Sequence, residues 1–381
     1  MHTNRITFVA GTVIPASAAA VRVSLRDTLQ GALVLAPMTR GGNLPYRQLC
    51  QELGAPVTMG EMAMARRLKQ KRQSEFALIR RAPGERFFGV QLAGNRPDEM
   101  AWAAALVEAR GADLVDVNLG CPIEYFTSKG LGAALACKPQ RVRRIVEAMT
   151  RSVQRIPVTV KIRLGWNDEH RNSLDVARAA VDGGAQAIFV HGRTRAARYS
   201  RTADWEAIAA VAAAVSVPVV GNGDLLFRHE IDAALRQTGC TGVMTARGAL
   251  IKPWLFREAT EGDLDPTGDE RLVMYRRYVA LAKAHWGADE HGMARIREFL
   301  LWHLGFWCRY APRRADGSYP AMQQRESWTP RTPLEALLAR ADAPAHAYLA
   351  DRFLGDEPVE PEATPEPAAA PEIDDDAAEA G

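Results

Sequence analysis

Five strings of this sequence hold residues able to do chemistry, each at or just past a short apolar run. Asn118-Leu119-Gly120-Cys121-Pro122 puts a thiol where an exposed loop is expected. A thiol in that position can give or take a proton at modest cost. The alternative is a buried apolar cysteine, the expectation for Cys50, Cys137, Cys240 and Cys308. Lys161 ends a run of Val and Ile, with Arg163 beside it. A lysine there needs an anionic or polar partner, because an unpaired buried charge is very costly. That partner is either a ligand or an internal carboxylate, Asp116 or Glu61. His191, in His191-Gly192-Arg193, is expected at the same level as Lys161; it reads either as a cofactor contact or as a structural histidine. Asn222-Gly223-Asp224 and Ala246-Arg247-Gly248 read as anion-binding turns: glycine lets backbone N–H groups approach phosphate oxygens, and an arginine neutralises them. Tight turns alone would also explain these glycines. Gln91 is a weaker signal, a polar group able to bond a ring edge.

These residues need a scaffold that brings strand ends together. Apolar runs occur at 33–38, 57–62, 87–92, 114–119, 158–162, 187–190, 217–220 and 242–246. Most are continuous rather than alternating, the mark of parallel strands buried on both faces. Ala-rich helical stretches separate them, among them 98–110, 139–153, 173–182, 204–214 and 229–237. Eight strands alternating with helices predict an α/β fold, a (β/α)8 TIM barrel, whose active site lies at the C-terminal strand ends. The polar strings fall there.

Past Phe256 the pattern changes. A linker at 262–266 precedes Thr267 and Glu270, which are spaced as a capping box. Helices are expected at about 269–286 and 293–310, then at 333–340 and 345–353. The predicted organisation is an N-terminal extension (1–28), a catalytic barrel (29–257), a small all-helical domain (258–355) and a disordered acidic tail (356–381). The first 355 residues hold all 48 Lys and Arg against 35 of the 45 acids, so the body carries +13 and the whole chain +3. Such a body suits a polyanionic partner, or is simply a solvated basic surface. Five scattered cysteines without a CxxC pair suggest neither a disulfide framework nor a zinc site, and a reducing cytoplasm is the expected compartment. No run of 18 apolar residues occurs, so no membrane association is expected.

Together with Leu35-Ala36-Pro37-Met38, Gly60-Glu61-Met62, Gly89-Val90-Gln91-Leu92 and Val160-Lys161-Ile162-Arg163, these strings resemble the tRNA-dihydrouridine synthase family over residues 31–355. Gly60-Glu61-Met62-Ala63-Met64, Cys121-Pro122-Ile123-Glu124, Arg201-Thr202-Ala203-Asp204-Trp205 and Lys252-Pro253-Trp254-Leu255-Phe256 are most similar to the branch acting on variable-loop uridine. The resemblance implies FMN over the barrel mouth, reduced by NADPH. It puts Ala36, Pro37 and Met38 along the flavin ring, and Gln91, Lys161 and His191 against the ring and ribityl chain. It puts Asn118 near both flavin and target base, and Asn222, Gly223, Asp224, Ala246, Arg247 and Gly248 at the phosphate. It gives Cys121 the role of proton donor to C5 of a flipped uridine as hydride reaches C6.

Basic residues after strand two (Arg66, Arg67, Lys69, Lys71, Arg72) and after strand six (Arg193, Arg195, Arg198, Arg201) fall on the same rim. They are expected to meet tRNA phosphates, with Arg295, Arg297 and Arg309 of the helical domain. No metal is expected, and a monomer is favoured. The rival expectation is a flavin-dependent barrel oxidoreductase acting on a small molecule, which has no need of a basic rim.

Overall fold

A computed structural model describes residues 24–322 and 328–368. Most of the N-terminal extension and the end of the acidic tail therefore lie outside the described residues. Eight parallel strands form the barrel: β1 (Leu33–Leu35), β2 (Val57–Met59), β3 (Phe88–Ala93), β4 (Leu114–Leu119), β5 (Val158–Arg163), β6 (Ala187–His191), β7 (Val219–Asn222) and β8 (Gly242–Thr245). Neighbours pair in chain order, and β8 closes on β1, with Leu33, Val34 and Leu35 opposite Val243, Met244 and Thr245. A two-residue strand, Ala63–Met64, pairs with the end of β3. The fold is a closed (β/α)8 barrel followed by C-terminal helices.

Strand ends follow from local chemistry. β1 was expected to reach residue 38 but stops at Leu35. Ala36 N–H still donates to Thr245, 2.9 Å away, whereas Pro37 has no N–H to continue the ladder. Every residue of β3 is buried, as a sheet covered on both faces requires.

The barrel helices are α1 (Leu44–Glu52), α2 (Ala65–Lys69), α3 (Gln73–Leu78), α4 (Pro97–Ala109), α5 (Pro139–Ser152), α6 (Ser173–Asp182), α7 (Trp205–Ala214), α8 (Arg228–Thr238), α9 (Arg247–Ile251) and α10 (Leu255–Glu261). On α5, Val142, Ile145, Val146 and Met149 are buried, the helical spacing of one apolar face. The C-terminal part consists of α11 (Gly268–Trp286), α12 (Glu290–Trp307), α13 (Pro333–Leu338) and α14 (Ala343–Gly355). The expected capping box forms: Glu270 N–H donates to Thr267 Oγ1 (3.3 Å) and Thr267 N–H to Glu270 Oε2 (2.9 Å).

Of two apolar clusters among the described residues, one lies within the barrel and its helices and the other runs through barrel and C-terminal helices alike. Tyr46 on α1 packs edge-on against Tyr278 (6.2 Å between centroids) and His303 (5.0 Å), while its hydroxyl donates to Ala249 O (2.7 Å). Trp254 meets Trp307 and Tyr310 at 5.6 and 5.0 Å. The expected boundary at 257/258 falls inside α10, where Glu258 is buried in an ion pair with Lys252 (2.7 Å). Residues 356–368, the start of the segment expected to be disordered, lie against the helices. Arg276 holds Asp356 (2.7 Å), Tyr348 OH donates to Glu360 O (3.0 Å) and Arg340 donates to Pro365 O (2.9 Å). Polar anchors on α11, on α14 and in the loop before α14 thus supply what the Pro- and acid-rich composition lacks. Among the described residues no helix is long and apolar enough to cross a membrane.

Candidate active site

Strand register puts the polar strand ends at one level. Asn118 stands opposite Lys161, Arg163 opposite His191, and His191 opposite Asn222. They open into a cavity at the C-terminal mouth of the barrel. Cys121, Ala36, Pro37, Met38, Gln91, Asn118, Lys161, His191, Asn222, Gly223, Asp224, Ala246, Arg247 and Gly248 all line it. The thiol, the amine and both glycine turns therefore share one space.

The wall beneath Cys121 is a chain of directed hydrogen bonds. Asp116, 0% exposed, accepts from Thr159 Oγ1 (2.7 Å) and Gln91 Nε2 (2.8 Å). With its amide nitrogen turned to that carboxylate, Gln91 presents Oε1 to Asn118 Nδ2 (2.7 Å). Asn118 Oδ1 then accepts the N–H groups of Cys121 (2.9 Å) and Gly120 (3.2 Å). A carboxylate accepts only, so it fixes which way both amides face, and through them the loop that carries the thiol. These bonds use one amide hydrogen each of Gln91 and Asn118 and leave the second uncommitted by them. Burial pushes the Asp116 carboxyl up to about 6, against the opposing pull of Gln91, Thr159 and the Lys161 field. The loop is also pinned from its far side. Gly132, at φ +56°, lies so close that an added Cβ would sit 2.6 Å from Cys121 O, and Ala133 N–H donates to that oxygen (3.1 Å). Cys121 itself is partly exposed.

The opposite wall is cationic. Burial, then Arg163, Lys161, Arg193 and Arg247, hold the His191 imidazole well below its usual range, so the ring is neutral. Arg193 Nη1 lies 3.2 Å from His191 Nε2. A guanidinium can only donate, so Nε2 is the acceptor and Nδ1 bears the proton. Asp224, in a left-handed backbone conformation (φ +52°), accepts from Arg193 Nη2 (2.7 and 2.6 Å) and Arg247 Nη2 (3.1 Å). Its side chain is thus turned to two arginines rather than to an anion. Arg247 also lies over the Tyr199 ring, 3.9 Å from its centroid. Gly248 packs so tightly that a Cβ there would stand 1.9 Å from Leu225 O and 2.6 Å from Thr245 Oγ1. That contact locks the β7 and β8 turns together.

Several sequence expectations change. Arg193 is buried and ion-paired rather than on the rim, and Arg201 pairs with Asp168 (2.5 Å). Arg297 is held by Asp351 (2.7 Å), and Arg309 donates to Met322 O (3.2 Å). Acids distant in sequence claim three of these cations. Arg66, Arg67, Lys69, Lys71 and Arg72 are exposed. Cys50, Cys240 and Cys308 are buried as expected, whereas Cys137 is exposed where the helical turn Ala133–Ala136 ends. Arg163, Arg193, Tyr199 and Met322 also line the cavity. Period-two spacing from Lys161 and His191 could have found the first two; Tyr199 and Met322 arrive on loops that no local pattern aims.

The donor set fits an anionic, ring-bearing cofactor such as a flavin nucleotide. Four cations, Lys161, Arg163, Arg193 and Arg247, line the cavity and suit a negatively charged ligand, and two close-packed glycines, Gly223 and Gly248, stand in its wall without side chains.

A family model described as dihydrouridine synthase (Dus) matches residues 34–303. A "tRNA-dihydrouridine(47) synthase [NAD(P)(+)]-like" protein of rice (Oryza sativa subsp. japonica) is 40% identical over 86% of this chain and 48% of its own length. The human protein of that name is 40% identical over 88% of this chain and 52% of its own. The chain thus spans about half the length of the curated relatives it matches. Among solved structures, a 2-naphthoyl-CoA reductase complex aligns with TM-score 0.50 at 10% identity, covering 63% of this chain and 51% of the other. An amine oxidase from Pseudomonas geniculata N1 also aligns at 0.50, with 13% identity over 61% of this chain and 47% of the other; both likenesses show the barrel fold alone. The family match, together with the fold and the residues gathered at its mouth, shows that this chain belongs to the dihydrouridine synthase family.

Proposed function

We propose that this protein reduces a uridine of tRNA to 5,6-dihydrouridine, with FMN as bound cofactor, NADPH as reductant and Cys121 as proton donor. The observation that carries the reading is the shared cavity: a partly exposed thiol faces the same space as Lys161, His191 and the two turns joined at Gly248. The names of the relatives point to uridine 47, in the variable loop, as the target.

Saturating the C5=C6 bond of uracil needs a hydride at one carbon and a proton at the other. A flavin held by these residues would be the source of the hydride for C6. The chain's own groups do the rest. Arg247 and the backbone of Asn222, Gly223, Ala246 and Gly248 would hold the phosphate, while Asp224 keeps Arg193 and Arg247 in place. Lys161 and neutral His191 would meet the polar edge of the ring and ribityl chain. Gln91 and Asn118 offer their remaining amide hydrogens to ring or base, and Ala36, Pro37 and Met38 form the apolar wall. Cys121 Sγ delivers the proton to C5; general-acid help of this kind is worth roughly 10²–10⁴ in rate. A base inside an RNA stack cannot enter such a cavity, so the uridine must be extruded. The exposed cations on and beside α2 would take the adjoining phosphates, and the cytoplasm is the compartment proposed for this reaction.

Dihydrouridine analysis of tRNA from a strain lacking this gene tests the reading. Loss of the modification at one position, restored by the wild-type gene, is expected. Unchanged dihydrouridine with altered small-molecule metabolism would favour the rival oxidoreductase.

A further inference from the structure

The loop that carries the thiol continues to an exposed aromatic residue that the reading above does not use. Only four large apolar side chains among the described residues are exposed: Trp102, Tyr125, Leu174 and Val273. Tyr125 lies four residues past Cys121, on the helical turn Glu124–Thr127, so it stands on the catalytic rim. It is 49% exposed, while Phe126 beside it is buried and braces it edge-on at 5.2 Å. Two cations attend the ring. Arg67 Nη2 donates to its hydroxyl (3.3 Å), and Lys129 Nζ sits 3.3 Å from its centroid. Arg67 is fixed by Glu75 (3.2 Å), whose other oxygen accepts Met64 N–H (2.7 Å). Arg66, Lys69, Lys71 and Arg72, all exposed, continue the basic surface.

An exposed tyrosine on a braced turn, between two cations and beside a run of four more, has the composition of a single-strand nucleic-acid site. Aromatic faces stack bases of any identity, and flanking cations take the backbone. Extruding a nucleotide leaves its neighbours unstacked, and those neighbours need a surface near the thiol. We propose that Tyr125, with Arg67 and Lys129, forms a second nucleotide site on the rim, where an unpaired base outside the cavity stacks on the phenol ring and its phosphate takes the two cations. This rests on the reading of the protein as a tRNA-modifying enzyme. In the free protein Lys129 covers one face of the ring. An exposed cation–π contact is weaker than a base stack joined to a phosphate contact, so the ammonium moves to the phosphate and the ring remains for the base.

The test is the affinity of the FMN-loaded protein for unmodified tRNA transcript, measured over a range of salt. Tyr125→Ala is expected to weaken binding roughly 5- to 100-fold, the loss of one base stack, without changing the slope of log Kd against log salt. Tyr125→Trp is expected to keep the affinity. Lys129→Ala and Arg67→Ala are each expected to lower that slope by roughly one, the mark of a lost phosphate contact. An abasic transcript, with one base near the target removed, is expected to cost wild type as much as Tyr125→Ala does and to add nothing to that variant. Flavin content and melting temperature check that each variant is folded. Wild-type affinity in Tyr125→Ala, or equal losses for every abasic position, would overturn the stacking site and leave the reaction standing. Tyr125-dependent binding without any dihydrouridine from wild type would leave the site standing and remove the reaction. No binding of tRNA by wild type would overturn both.

Discussion

Asp116 shows how one buried side chain sets the loop that carries Cys121 without touching it. Its carboxylate orients Gln91, Gln91 orients Asn118, and Asn118 caps the N–H of Cys121. Burial makes ionisation costly, lifting the carboxyl from about 4 in an unfolded chain to about 6 in the fold. Between those values the native state holds a proton that the unfolded chain has released, so stability falls as pH rises through that window. Two pH units of difference correspond to about 3 kcal/mol. Asp116→Asn has no such cost. In urea titrations of flavin-free protein, stability relative to wild type should move in favour of the variant by about this amount between pH 4 and pH 7. A constant difference across that range would mean that Asp116 titrates as an ordinary surface acid.

At the level of elements, the cavity depends on how closely two turns approach. The β7 and β8 turns meet at Gly248, where any Cβ would collide with Leu225 O. Gly248→Ala is expected to prise the turns apart and release flavin while most of the barrel core stays intact. Flavin content after gel filtration, read beside the melting temperature, checks this; a variant that retains full flavin would remove these turns from the phosphate site. The strands and their polar ends were legible in the sequence because parallel barrels write continuous apolar runs and place polar residues where each run stops. That is how Cys121, Lys161, His191 and both glycine strings could be placed at the barrel mouth from sequence, where the structure has them. The hydrogen-bond chain from Asp116 was not, since it joins Gln91, Asp116, Asn118 and Thr159 across three strands whose register is tertiary. Arg193 failed for the same kind of reason: Asp224, 31 residues on, draws it inside.

Across the whole molecule, barrel and C-terminal helices share one apolar cluster, with Tyr46 and Trp254 packed against α11, α12 and the segment after them. A fragment ending at Gly262 would expose those rings, so the intact chain is expected to melt in one transition and the fragment to aggregate. Two resolved transitions, or a soluble folded fragment, would show the parts to be independent. Composition gave the helices but not this union, because the apolar residues of α11 and α12 read alike whether they pack on each other or on the barrel. The docking of residues 356–368 was equally hidden, resting as it does on Arg276, Arg340 and Tyr348 far back in the chain. The most direct test of the account is a reaction with purified protein, FMN, NADPH and unmodified tRNA, read by mass spectrometry of nucleosides. Wild type is expected to form dihydrouridine at a single position. Cys121→Ala is expected to keep its flavin and its affinity for tRNA but lose roughly 10²-fold or more in rate. A Cys121→Ala enzyme turning over at the wild-type rate would contradict the account.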